Sequence, residues 1–160
     1  MATLRKRKEL EQIVLAQIGR EMSARTILFH QSIANLAGVS LTDLKCLDYI
    51  SRGDDVTAGD LARLTGLTTG AITAAIDRLE KSAFVRRERS ATDRRKVLVR
   101  LCESAATARI AHIYEALRRE MTHMITRYST RELETIRDFC VRCIEVMRRQ
   151  TEAVQALAKE

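Results

Sequence analysis

Residues 57–101 limit this chain more than any other stretch, because its residue pattern changes character four times in close succession. Thr57, with Asp60 three residues on, has the spacing of a helix cap, and Leu61 and Leu64 give the short helix behind it an inner face. Thr65-Gly66-Leu67 makes a turn, and Thr68 caps a second helix that runs to about Lys81. That helix has a core face of Ala71, Ile72, Ile76 and Leu79; its opposite face carries Thr69, Gly70, Thr73, Ala74, Asp77 and Arg78. Residues 84–88 and 96–101 then read as strands, with Val97, Val99 and Leu101 alternating to one side of the second. A polar, basic loop joins them. Helix, tight turn, helix and basic hairpin is the order of a winged helix-turn-helix.

The flanks read as long amphipathic helix. Leu10, Ile13, Val14, Ile18, Met22, Leu28, Phe29, Ile33 and Leu36 recur at steps near three and four, which predicts a helix over residues 9–37 with Gly38 as its stop. A second helix runs over residues 42–52, with Ser40 and Asp43 at capping-box spacing and Gly53 closing it. After residue 103 the helical period returns through Ile110, Ile113, Tyr114, Leu117, Met121, Met124 and Ile125. Ser129 and Glu132 cap the last helix, whose buried face is expected to hold Leu133, Ile136, Cys140, Cys143, Ile144, Met147, Val154 and Leu157. The expected fold is mainly α with a small β wing, in a single chain of 160 residues. Residues 40–101 form the reading lobe, and residues 9–37 with 103–158 form a helical frame. Three helices of more than 20 residues are more than one small winged module needs, so they are expected to pack against a second copy.

Charge singles out the same stretch. The chain carries a net charge of +7, and between Arg78 and Arg100 nine Lys or Arg stand against three Asp or Glu. Such a concentration is an electrostatic footprint for phosphates and points to double-stranded DNA as partner. The small side chains at Thr69, Gly70, Thr73 and Ala74 let a helix backbone sink into a major groove, and threonine offers a hydroxyl and a methyl to base edges. In the loop, Arg95 can enter a minor groove, and Asp93 two residues earlier can hold its direction. Arg86, Arg87, Arg89, Arg94 and Lys96 are expected along the flanking phosphates.

Three segments carry a family resemblance. Leu61-Ala62-Arg63-Leu64-Thr65-Gly66-Leu67 followed by Ile76-Asp77-Arg78-Leu79-Glu80-Lys81 resembles the helix-turn-helix of the MarR family of bacterial winged-helix transcription regulators. Asp93-Arg94-Arg95-Lys96-Val97-Leu98-Val99-Arg100-Leu101 resembles that family's D-x-R wing signature. The flanking helices fit its layout of six helices with the wing between the fourth and fifth, so the resemblance covers essentially the whole chain. It implies an intertwined two-fold homodimer on a palindromic operator, most often a repressor released by a small ligand or by oxidation. By motif position it implies that Thr68, Thr69, Gly70 and Thr73 face the major groove and that Arg78 reaches a phosphate. It implies further that Arg95 enters the minor groove with Asp93 orienting it. Three positions depart from the pattern. Ala83 stands where the family has Gly, Cys102 where a Thr caps the fifth helix, and Ser90-Ala91 where an acidic residue and Pro precede the wing tip. A weaker cap and a more mobile wing are the expected consequences.

The signal is less legible than the reader. Family members bind phenolic or aromatic ligands between frame and reading lobe, which by resemblance places a pocket at Phe29, His30, Leu47, Tyr49 and Ile113, with Arg25 or His112 as polar partners. Cys46 is the first thiol to consider for redox sensing; Cys140 and Cys143 share an apolar helix face, where cysteine is commonly a packing residue. No metal or cofactor is expected: His112 and His123 are eleven apart, about 16 Å along one helix. No phosphate loop, HExxH or paired-carboxylate signature suggests an enzyme. No membrane span or signal peptide is recognised, which places the chain in the cytoplasm. Two alternatives remain beside the ligand-released regulator: a thiol-based redox sensor, and an architectural or interaction module without sequence choice.

Overall fold

Helix caps written into the sequence set most element boundaries of the computed structural model, which describes residues 2–53 and 55–157. Among the described residues, six helices and one hairpin follow in order. The first, α1, is α-helical at Ala2–Ala16, π-helical at Gln17–Met22 and α-helical again at Ser23–Ala37. The expected single stripe is therefore interrupted, because a π turn adds a residue and shifts the phase of the side chains that follow. Gly38 ends α1 at φ +68°, where its N–H donates to the carbonyls of Ala34 and Asn35.

Next come α2 (Leu41–Arg52), α3 (Ala58–Thr65) and α4 (Thr69–Lys81). Reciprocal capping boxes start the first two: Ser40 with Asp43, and Thr57 with Asp60. Thr68 accepts the Ala71 N–H to start α4, and Gly66 at φ +71° makes the turn between α3 and α4. The core beneath them includes Cys46, Leu61, Ile72, Ile76 and Leu79, all essentially inaccessible. Ala75 rather than Ala71 completes the buried face of α4.

The wing consists of β1 (Val85–Arg89) and β2 (Val97–Leu101), antiparallel with Val85 opposite Leu101 and Arg89 opposite Val97. Residues 56 and 57 run along the other edge of β2, where the Val99 N–H donates to Val56 O at 2.8 Å. The expected alternation is incomplete. Val97 is exposed, Val99 is buried, and Leu98 is buried as well, beside its bridge partner Thr57.

Ala83 is the one described non-glycine residue with positive φ, at +56°. Its conformation closes α4: the Phe84 N–H returns to Leu79 O at 2.9 Å, and the Phe84 side chain drops into the core. The geometry is the one the family's Gly would take, and alanine takes it at a cost in steric strain.

After the wing come α5 (Ala105–Ile125) and α6 (Thr130–Leu157). Cys102 does not cap α5. Ser104 does, two residues later: its hydroxyl accepts the Thr107 N–H at 3.2 Å and its own N–H donates to Thr107 Oγ1 at 3.0 Å. The expected weak cap is thus replaced by a complete one. Ser129 and Glu132 form the predicted box before α6.

The described chain divides into two units between Ala111 and His112, inside α5. In the second, α6 buries none of its residues. Leu133 and Cys143 are half-covered, whereas Ile144, Met147, Val154 and Leu157 are 64–69% exposed. The burial expected for this face is not met within one chain, because a helix stripe is buried only where another layer covers it. Among the described residues no helix is long and apolar enough to cross a membrane. The frame boundary expected at residue 158 lies outside the described residues.

Replacing Ala83 by Gly should raise stability by about 1 kcal/mol, since the left-handed strain disappears while the chain entropy lost partly offsets it. The denaturant midpoint of Ala83→Gly against the wild type measures this, and an unchanged or lower midpoint contradicts it.

Candidate nucleic-acid interface

The face of α4 away from the core carries the residues singled out for base reading. Thr68, Thr69, Gly70, Thr73 and Ala74 are all exposed. Their hydroxyls are not equivalent. Thr68 Oγ1 accepts the Ala71 N–H at 3.3 Å and so keeps its proton to give outward. Thr73 donates to Thr69 O at 2.9 Å, which leaves its lone pairs and its methyl to face a partner. A Cβ added at Gly70 would meet nothing within 4 Å, so glycine here keeps the surface low without any packing need.

Internal bonds hold the wing tip. Ser90 is buried, and its hydroxyl accepts the N–H groups of Thr92 and Asp93, both at 3.3 Å. The mobile tip expected from the Ser90-Ala91 departure is thus a tied turn. Asp93 accepts both the backbone N–H of Arg95 at 3.1 Å and its Nε at 3.4 Å, while the Arg95 side chain is 93% exposed. Arg95 is thus held at its base and open at its tip.

The remaining basic residues of the wing separate into two groups. Arg89, Arg94 and Lys96 are exposed and make no ion pair with the described residues. Arg86 is exposed but donates to Leu101 O at 3.1 Å and lies 3.4 Å from Glu88. Arg87 is occupied: it reaches Asp77 and Glu80 on α4, and its backbone N–H also donates to Glu80 at 3.0 Å. These bonds hold the Glu80 carboxyl below its ordinary range. Arg100 joins Glu88 to Asp55 across the other side of the sheet.

Arg78 has a partner that the motif does not suggest: its side chain is exposed, and its Nε and Nη2 donate to Asp43 of α2 at 3.1 and 2.6 Å. Asp43 is 3% exposed and also accepts the Ser40 N–H in the capping box. Burial pushes its pKa up, but the bonds from Arg78 and Ser40 and the guanidinium charge outweigh that, so the carboxyl stays below its ordinary range. The motif marks Arg78 as functional; nothing local marks its partner, 35 residues earlier.

Of the residues expected to line a ligand pocket, Phe29, His30, Leu47 and Tyr49 lie in the first unit. Leu47 belongs to the hydrophobic core. Tyr49 donates its hydroxyl to Leu64 O at 3.3 Å, with the Lys45 ammonium 4.7 Å over its ring. Phe29 and His30 face each other with ring centroids 5.8 Å apart, and Ile113 falls in the second unit. A cavity of about 100 Å³ opens beside Ile33, Ala37, Arg109 and Ile110. Cys46 is inaccessible, and burial, with the Asp43 charge beside it, pushes its thiol up, the opposite of what a reactive thiolate needs. Among the described residues no group of three His, Cys, Asp or Glu is arranged to hold a metal ion.

Because the folded pKa of Asp43 is depressed, its contribution to stability is full above the unfolded value of about 3.9 and is lost as pH falls through the folded value. The melting temperature of Asp43→Asn should lie below that of the wild type near neutral pH, and the gap should close below about pH 4. A gap that stays constant with pH contradicts the ion pair.

Comparison with known proteins agrees with this geometry. A family model described as "MarR family" matches residues 37–96. The HTH-type transcriptional regulator YcgE of Bacillus subtilis (strain 168) is 36% identical over 155 residues, covering 97% of this chain and 99% of that protein. Among solved structures, a mutant of MepR from a multidrug resistant S. aureus clinical isolate matches with a TM-score of 0.64 at 16% identity. The match covers 82% of this chain and 96% of the MepR chain. Another S. aureus MepR mutant, bound to oligodeoxyribonucleotide, matches at 0.54 with the same identity and coverage. The two structures share the fold, and the B. subtilis protein shares the sequence over nearly its whole length. The chain belongs to the MarR family of HTH-type transcriptional regulators.

Proposed function

We propose that this regulator reads a palindromic operator as a homodimer and represses from it until a small ligand releases the DNA. The observation that carries the reading is the conjunction of two exposed features: the small threonine-rich face of α4, and an Arg95 held by Asp93 at its base and otherwise open. Thr68, Thr69, Gly70 and Thr73 would meet base edges in the major groove, and Arg95 the minor groove. Arg86, Arg89, Arg94 and Lys96 would lie on phosphates and set the salt dependence without reading sequence. The oligodeoxyribonucleotide bound to S. aureus MepR supports the same partner for this fold.

Homodimerisation is supported by the exposed apolar residues of α1 and α6: Leu10, Ile13 and Leu28 in the first, Ile144, Met147 and Val154 in the second. The helices over residues 9–37 and 103–158 would then be the frame that sets the distance between two reading lobes. Ligand release rests on family membership.

The test is a gel-shift titration against the intergenic DNA upstream of the protein's own gene. Thr69→Ala and Arg95→Ala should each lower specific affinity by about tenfold, equivalent to roughly 1.4 kcal/mol. Arg94→Ala should weaken all sequences alike and reduce the salt slope by about one per lost contact. Binding that depends on salt but not on sequence overturns the proposal in favour of an architectural role. Light scattering should give twice the chain mass of 18.1 kDa. Adding candidate phenolics should release the DNA; release by peroxide instead would favour the redox alternative.

A further inference from the structure

The motif marks Arg78 as a phosphate ligand, yet its guanidinium, on a side chain that is 54% exposed, is held by two bonds to a buried carboxylate. Helical geometry explains why this matters for reading. Nine residues separate Thr69 from Arg78, which at 3.6 residues per turn places the two about half a turn apart. Thr69 and Arg78 therefore stand at the two flanks of the exposed face, with Gly70 and Ala74 between them, and Arg78 holds α4 at the flank away from Thr69. Its partner belongs to a different element and is itself immobilised, because Asp43 is the third residue of α2 and closes that helix's capping box with Ser40. The contact has two prongs, Nε at 3.1 Å and Nη2 at 2.6 Å, so it constrains the direction of the guanidinium as well as its distance. The apolar residues Ile72, Ala75, Ile76 and Leu79 already hold α4 on the core. Apolar packing is non-directional, however, and tolerates small rolls about the helix axis that a two-pronged ion pair does not.

We propose that Asp43 and Arg78 form a positioning pair for sequence reading: the buried carboxylate holds the guanidinium, and through it the roll of α4 that presents Thr69, Gly70 and Thr73 to the groove. Arg78 is then a strut of the reader and not one of its phosphate contacts. Side chains that recognise a ligand must be held to about 0.5 Å and 10–20°, which is the scale a helix roll disturbs. The role rests on the DNA-reading function proposed above and adds to it a residue, Asp43, that touches no DNA.

Binding of full-length variants to two duplexes tests the proposal. One duplex is enriched by the wild type from a random-sequence pool; the other is a scrambled duplex of the same composition. Asp43→Asn and Arg78→Ala should each lower affinity for the enriched duplex by about tenfold, and the double variant should lose no more than either alone, as for residues acting as one unit. Binding to the scrambled duplex and the salt slope should stay at wild-type values. Arg78→Lys should behave like Arg78→Ala, because lysine keeps the charge but not the fork.

A phosphate contact gives the reverse pattern and overturns the proposal: Arg78→Ala weakens both duplexes and lowers the salt slope, Arg78→Lys restores binding, and Asp43→Asn leaves it unchanged or stronger. Circular dichroism and melting verify each variant; if Asp43→Asn does not fold, the contrast between Arg78→Lys and Arg78→Ala decides. A wild type that enriches no sequence overturns the operator-reading function and the positioning role with it. A wild type that enriches one while its variants follow the phosphate pattern overturns the positioning role alone.

Discussion

Burial of one face of α4 is the constraint on which the rest of the reading lobe depends. Ile72, Ala75, Ile76 and Leu79 are inaccessible among side chains from α2, α3 and the wing. Once that face is committed to the core, the opposite face has only one place to go, and Thr69, Gly70, Thr73 and Ala74 must be exposed. The capping boxes of α2 and α3 and the left-handed turn at Gly66 serve this outcome by starting and stopping the helices that pack beneath α4. Ala83 does so at the other end, accepting an unfavourable φ so that Phe84 enters the same core and β1 begins immediately.

Charge is arranged around this packed unit in two roles. Arg78, Arg87 and Arg100 bridge elements to one another: α4 to α2, β1 to α4, and β2 to the Asp55 loop. Arg89, Arg94, Arg95 and Lys96 point to solvent near the tip of the hairpin. The bridging arginines neutralise Asp77, Glu80 and Asp43, carboxylates that would otherwise stand on or near the reading helix and repel a phosphate backbone. Net charge alone does not separate these roles. A basic stretch attracts chiefly through the cations whose side chains stay open to solvent.

Most element boundaries are legible because their signals are local. A threonine or serine three residues before an acid, a glycine after an apolar run and a threonine before a periodic segment act within one helical turn, and each marks a boundary within a residue or so. Cys102 misleads because the better cap, Ser104, lies two residues further on with Thr107 as its partner. The π-helical segment of α1 leaves no such mark, since its residues are ordinary helix formers apart from Gly19. Ser90 is equally opaque: a serine in a loop looks solvated until the hairpin folds over it.

By itself, the sequence determined the order of elements, most of the exposed face of α4 and the Asp93–Arg95 arrangement, because caps, helical period and a two-residue spacing are properties of neighbours along the chain. Only the tertiary structure decided which arginines are engaged. Asp43 and Arg78 lie 35 residues apart, and Arg87 meets Asp77 and Glu80 only after the chain has turned through Ala83. It also decided that Cys46 is a buried core thiol, since burial depends on which faces meet. Pairing across the fold follows from the packing of α4, whose apolar stripe sets where each charged group comes to rest.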